Sequence, residues 1–275
     1  MSNRQSFDRF AADYDRFAGL EPPRVLRWLL TQLPAHGGRV LDAGCGAGRH
    51  TQVLAEHFED VVGLDISELL IDIARRQRSS PNVRFLVMDL ISLTDNAGFD
   101  LVFSSTTLHH VPDLDAALLH LRGLVRPGGK AILIDNVAAR PTPPRWVHVL
   151  GALRDVPSDI ARVGARHAGW LLKFRTSAAW LDHLASDRYL SRQAFERRYG
   201  SIFPGARFQN LGYAHALVWA KKNPAAVTRG DEVRREPWET MPGRTVSDIT
   251  ATTQDPSEPY PVRATSGVLS HNRQS

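Results

Sequence analysis

Between residues 39 and 136, short apolar runs rich in branched side chains recur, and stretches with helical periodicity separate them. The runs are RVLDAG (39–44), DVVGLDI (60–66), VRFLVMDL (83–90), FDLVFSS (99–105) and KAILIDN (130–136). Branched side chains suit a pleated surface, and short, nearly continuous apolar runs suit strands buried on both faces. Between them lie patterns such as DLDAALLHLRGLV, where Leu114, Leu118 and Leu121 fall at i, i+4 and i+7. This alternation constrains the fold more than any other feature. It predicts an α/β protein with a doubly wound, Rossmann-like, mostly parallel sheet covered by helices on both faces.

The flanks extend this frame. QSFDRFAADYDRFA (5–18) and EPPRVLRWLLTQL (21–33) read as helices, the second with proline in its first turn. Pro127-Gly128-Gly129 reads as a sharp turn before the fifth run. Residues 137–205 break the rhythm. They are helical in pattern, hold Trp146, Trp170, Phe174, Trp180, Tyr189, Phe195 and Tyr199, and carry eleven Arg/Lys against five Asp/Glu. That stretch alone accounts for the chain's net charge of +5. ARFQNLG (206–212) and YAHALVWAKK (213–222) then read as an antiparallel hairpin, giving seven strands with the last antiparallel. Residues 223–275, rich in Pro, Thr, Ser and charge, read as a disordered tail. The expected organisation is one domain over 1–222, with an N-terminal helical lid at 1–34 and a helical cap at 137–205 between strands five and six.

The single cysteine, Cys45, rules out an internal disulfide and fits a reducing compartment. The opening MSNRQSFDRF has no long apolar stretch, and no window approaches the ~18–20 apolar residues of a membrane span. The expectation is a cytoplasmic protein with no membrane partner.

VLDAGCGAGRHT (40–51) carries the chemistry. Gly44, Gly46 and Gly48 alternate after a strand ending at Asp42, before a helix starting near Arg49. Such glycines let the backbone lie against a ligand, and the helix start offers free N–H groups. The spacing G-x-G-x-G differs from the dinucleotide fingerprint G-x-G-x-x-G. Asp65, at the end of the second run, can accept from both hydroxyls of a ribose, and Asp89, at the end of the third, from an adenine amino group. Three acids at strand carboxyl ends, in register with a glycine loop, point to a nucleoside-bearing ligand.

VLDAGCGAGRHT, VVGLDIS, VMDL, FDLVFSSTTLHHVPD and LVRPGGKAILI, in this order, resemble the successive motifs of class I S-adenosylmethionine-dependent methyltransferases. The nearest resemblance is to the small-molecule branch called methyltransferase type 11, over about residues 7–222, and FAADYD (10–15) resembles its N-terminal element. The resemblance implies S-adenosyl-L-methionine as cofactor. It implies contacts from Tyr14 on the lid, from Asp42, Gly44, Cys45, Gly46 and Gly48 in the loop, from Asp65 and Ile66 at the ribose, and from Asp89 and Leu90 at the adenine. Ser105 would lie near the transferred methyl. It also implies methyl transfer to the oxygen, carbon or nitrogen of a small acceptor.

Transfer from a sulfonium is an in-line displacement, so the protein mainly aligns the acceptor, with a base where the acceptor carries a proton to lose. STTLHHVPD (105–113) offers His109 and His110. Neighbouring side chains point apart, so one is expected to face the reacting groups. His109 is the candidate base, and His110, whose position recurs more widely among the similar proteins, the alternative with an orienting role. His50 reads as a first-turn helix residue; His167 and His183 lie in the cap. The place after strand four reads SSTT, not the D/N/S-P-P-Y/F of methyltransferases acting on adenine or glutamine amides. No zinc spacing and no magnesium-type carboxylate cluster stands out, so no metal is expected. The cap's aromatics suggest a flat or apolar acceptor, and Arg140, Arg145, Arg154, Arg162 and Arg166 an acidic one. An RNA methyltransferase using the basic cap, disfavoured for want of an RNA-binding module, and a non-methylating member of the fold are the competing readings. Nothing in the sequence speaks to oligomeric state.

Overall fold

The computed structural model describes residues 8, 10–138 and 143–223. Arg140, the first residues of the N-terminal pattern, and the tail beyond Asn223 lie outside the described residues. The elements run α1 (Ala11–Leu20), α2 (Arg24–Leu30), β1 (Gly37–Ala43), α3 (Arg49–Leu54), β2 (Phe58–Asp65), α4 (Glu68–Gln77), β3 (Val83–Val87), β4 (Phe99–Ser105), α5 (Leu114–Leu124) and β5 (Val125–Asn136). Then come α6 (Arg145–Arg175), α7 (Ala178–Ser186), α8 (Arg192–Ile202), β6 (Arg207–Asn210) and β7 (Ala214–Ala220). Single 3-10 turns at Leu90–Ser92 and Leu108–His110 follow β3 and β4.

The sheet has seven strands in the order β3-β2-β1-β4-β5-β7-β6. β7 alone runs against the direction of the other six strands, pairing Asn136 with Ala214 at one end of β5 and Lys130 with Ala220 at the other. The two-residue strand period explains the layering. Leu41, Val102 and Leu133 pack on one face with Leu118 and Leu121 of α5 and Phe195 and Tyr199 of α8. Val40, Leu101, Phe103, Ile132 and Ile134 pack on the other with Val25 and Leu29 of α2 and Leu54 of α3. β4 is buried along its whole length, which is why its sequence has no polar alternation.

Several boundaries depart from expectation. β1 ends at Ala43, one residue beyond Asp42. β3 stops at Val87; Asp89 caps the following 3-10 turn, its Oδ1 accepting from the Ile91 N–H at 3.2 Å. Pro127-Gly128-Gly129 falls inside β5, where the register against β4 shifts, so the expected turn is a bulge. The helix after the histidine pair starts at Leu114, capped by Asp113, whose side chain accepts from the Ala116 N–H. α6 is broken at Gly164, whose φ of 78° and ψ of 161° interrupt the helical path. Among the described residues, no helix is long and apolar enough to cross a membrane.

Candidate functional site

β1 lies between β2 and β4, and the chain leaves it toward opposite sides of the sheet. Such a switch point opens a crevice at the carboxyl ends of the strands. The glycine loop forms its floor. Gly44 has φ 77°, and a Cβ there would stand 2.2 Å from the Thr107 side chain, so only glycine fits. Gly46, at φ 53°, behaves differently: a Cβ added to it would meet nothing within 4 Å. Its face is open to the crevice. Gly48, also at positive φ, precedes α3 and packs against Phe85 and Ala74.

The acids take distinct roles. Asp65 Oδ2 accepts from the Gly46 N–H at 2.9 Å and Oδ1 from the Ser67 N–H at 2.9 Å, which ties the loop to the end of β2. Burial raises its pKa, against the backbone bonds that lower it. Ile66 stands beside it, exposed. Asp42 is 1% exposed and accepts from the Thr51 hydroxyl at 2.6 Å. Burial pushes its carboxyl up to about 7, with the Asp65 charge adding to the rise. Cys45 is buried against Ile71, Ala74 and Phe85, and burial lifts its thiol well above the ordinary value, so it packs as a small apolar side chain. Asp89 is exposed and Leu90 buried.

α1 is fastened over the loop. Buried Asp15 meets Arg49 at 2.8 Å and Arg78 at 3.0 Å, and Arg78 also donates to the Ala47 carbonyl at 2.7 Å. This puts Tyr14 above the crevice. Burial raises its phenol to about 12, with the charges of Asp65 and Asp187 contributing, while a bond with the Thr106 side chain opposes the rise. Tyr14 therefore stands between the glycine loop and a second cluster.

That second cluster begins where β4 ends. Ser105 is buried, and Thr106 has φ 53°, the one non-glycine residue among those described with positive φ. A β-branched residue there is strained, a cost that functional sites commonly carry. The next turn brings the two histidine rings together, centroids 3.9 Å apart, so the expectation that they diverge is overturned. A 3-10 turn and the side-chain torsions bring both toward one carboxylate that the sequence did not reveal. His110 Nδ1 lies 3.4 Å from Asp187 Oδ1, and one nitrogen of each histidine and an oxygen of Asp187 all lie within 4.8 Å of one another. His109 Nδ1 is hydrogen-bonded to buried Asp135 at the end of β5. Burial works against a charged His109 ring, but the bond and charge of Asp135 outweigh it and its pKa rises. Burial, with the neighbouring imidazoles, pushes His110 down to about 2. Tyr189 donates to Asp187 Oδ2 and its ring lies 4.9 Å from that of His109.

The other candidates separate cleanly. His183 joins the cluster, its ring 5.1 Å from His110 and its Nε2 3.9 Å from Asp187. His167 has Nδ1 against the Val163 carbonyl in its own helix. His50 packs edge-on against Phe103, and burial lowers its pKa to about 4. Arg145 pairs with Asp182, Arg154 with Asp155 and Arg162 with Asp159, so these three arginines have partners within the cap. Phe10, Tyr14, Phe17, Phe174 and Trp180 form an aromatic wall beside His183. Next to it a cavity of about 300 Å³ is lined by Phe17, Val147, His148, Arg175 and Trp180.

A family model described as a methyltransferase domain matches residues 40–129, from β1 to the bulge of β5. The chain is 36% identical over 111 residues to a ubiquinone biosynthesis O-methyltransferase of Coxiella burnetii, covering 39% of this chain and 47% of that protein. It is 31% identical over 182 residues to a malonyl-[acyl-carrier protein] O-methyltransferase of Serratia marcescens, covering 65% and 66%. The chain thus spans about half the length of the first of these relatives. The crystal structure of an S-adenosylmethionine-dependent methyltransferase from Mesorhizobium loti superposes with a TM-score of 0.51 at 18% identity, over 74% of this chain and all of that one, and so shares the fold. Seven strands with the last antiparallel, a glycine loop at the switch point and these matches together identify the chain as a member of the class I S-adenosylmethionine-dependent methyltransferases.

Proposed function

We propose that the chain transfers a methyl group from S-adenosyl-L-methionine to a small-molecule acceptor. The observation that carries this is the Asp65–Gly46 pairing at the open switch point. Both Asp65 oxygens are steadied by backbone N–H groups, and each retains a lone pair for a ribose hydroxyl. The empty space over Gly46 leaves room for the cofactor's backbone-hugging methionyl arm, and Gly44 and Gly48 hold the loop in its positive-φ turns. The residues present therefore fit the cofactor. Asp42 and Cys45 support the loop from below, Ile66 and Leu90 offer apolar contact to the adenine, and Asp89 offers a carboxylate at its edge. Ser105 and Tyr14 line the methyl side.

The cofactor supplies an electrophilic methyl carbon. The chain's own work is to aim the acceptor along the line of the breaking carbon–sulfur bond, and to keep water out. The lid over 1–34, of which α1 is fastened by Asp15, and the cap over 137–205 suit that second task. His109, whose bond to Asp135 raises its pKa, is the candidate base on the acceptor side, and His110 orients beside it against Asp187. The names of the two curated relatives favour an oxygen acceptor. The aromatic wall suits a flat or apolar body, and the lone cysteine suits the cytoplasm.

Calorimetric titration of S-adenosylhomocysteine into the wild type and Asp65→Ala tests the reading. Binding at micromolar or tighter concentration, weakened at least tenfold by the substitution, is the expected result. Equal affinity in the two proteins would remove the ribose role, and no binding to the wild type would remove the whole proposal.

A further inference from the structure

We propose that His109, His110 and Asp187 form a binding site for a divalent transition-metal ion on the acceptor side of the crevice. Two imidazoles and one carboxylate are a ligand set that suits Zn²⁺ or Fe²⁺ and leaves positions open for other ligands. Two ligand atoms each about 2.1 Å from one tetrahedral ion stand roughly 3.4 Å apart. His110 Nδ1 and Asp187 Oδ1 are separated by 3.4 Å, and a nitrogen of His109 completes a group within 4.8 Å.

The surroundings are those of a supported metal site. His109 Nδ1 is engaged by Asp135, which leaves Nε2 as the coordinating nitrogen and fixes the ring's tautomer and tilt. Tyr189 plays the same part for Asp187, donating to Oδ2 and leaving Oδ1 toward the histidines. The ligands are held by two separate elements, the turn after β4 with both histidines and the end of α7 with Asp187, and a third, β5, carries the supporting Asp135. All are buried or nearly so. Three imidazoles within ring contact would repel one another if protonated, whereas an ion gives two of them a common partner. Tyr14, which feels both Asp65 and Asp187, links this cluster to the glycine loop.

The role of the ion rests on the methyltransferase reading; its presence does not. Within that reading the site takes an acceptor with a hydroxyl or another oxygen donor at an open position. With an ion bound, His109 would serve as a ligand in place of a base: the ion's Lewis acidity would lower the pKa of such a hydroxyl, its proton would leave to solvent, and the oxygen lone pair would form the new bond to the methyl carbon as the carbon–sulfur bond breaks.

The test uses the full chain, stripped of metal with a chelator. Titration with Co²⁺ is followed by visible absorption, and Zn²⁺ is titrated in competition with a chromophoric chelator. The wild type is expected to show intense absorption from a low-coordinate site and to bind one equivalent of Zn²⁺. His110→Ala and the isosteric Asp187→Asn should lose that equivalent. Asp135→Asn should weaken binding roughly 10–100-fold, as loss of an orienting partner does. S-adenosylhomocysteine affinity should persist in Asp135→Asn. A wild-type cobalt spectrum like that of the aquo ion overturns the proposal, with no variant needed. So does a zinc stoichiometry that both ligand substitutions leave unchanged. If the wild type takes no ion yet binds S-adenosylhomocysteine, the metal site alone fails; if it takes the ion but no S-adenosylhomocysteine, the cofactor reading alone fails.

Discussion

Replacing Asp42 by asparagine should make the ligand-free protein more stable at alkaline pH. The carboxyl is 1% exposed, its bond from Thr51 offsets only part of the cost of burial, and its pKa stands at about 7 against 3.8 in the open chain. Between those values the unfolded chain has released the proton and the folded chain has kept it. Unfolding then releases a proton, so stability falls as pH rises from about 4 to 7 and stays low above. At about 1.4 kcal/mol per pH unit, the buried charge costs on the order of 4 kcal/mol when fully ionised. Some 3 kcal/mol of this develops between pH 5 and pH 8, on the order set by the same linkage. Asparagine can still accept from Thr51 and has no charge to bury. Urea unfolding of both proteins at pH 5 and pH 8 isolates the effect, because other titrating groups cancel in the difference. The variant's advantage should grow by about 3 kcal/mol from pH 5 to pH 8. An advantage that is flat with pH, or a variant less stable at pH 8, would refute the assignment of a buried, reluctantly ionised Asp42.

Gly44→Ala should fail to bind S-adenosylhomocysteine and should lower the thermal midpoint, because its Cβ would stand 2.2 Å from Thr107 at a φ of 77°; retained affinity in calorimetry would show that the loop can shift. Asp15→Ala should cost about 3–5 kcal/mol, since it leaves Arg78, 8% exposed, without its carboxylate. Chemical unfolding measures that loss, and a change below about 1 kcal/mol would mean that α1 is held by its aromatic contacts instead.

The strands were legible because each buried run is written in branched apolar residues that little else explains. The glycine loop and Asp65 were legible for a similar reason: a positive-φ turn demands glycine, and the acid follows at the next strand end. The third strand was misread because VMDL continues an apolar run past the last ladder bond, and only the cap on Ile91 shows that the chain has already turned. Asp135 had a signal, an acid at the carboxyl end of the fifth run, in line with Asp42 and Asp65. Asp187 had none. It comes from the cap, and only tertiary packing sets it against the histidine pair. That same packing overrode the local geometry that made His109 and His110 look divergent, and so concealed a ligand set that no spacing along the chain could reveal.

The antiparallel β7 decides where the chain leaves the domain. It begins beside Asn136, at the crevice, and ends beside Lys130, where Lys221 donates to the Gly129 carbonyl. Seven residues of strand carry the backbone about 20 Å from the crevice. Whatever follows Asn223 starts from the opposite rim of the sheet. A tether attached at Asn223, the last described residue, would therefore hold the molecule with its acceptor entrance facing outward, so ligand and metal titrations can be run on immobilised protein.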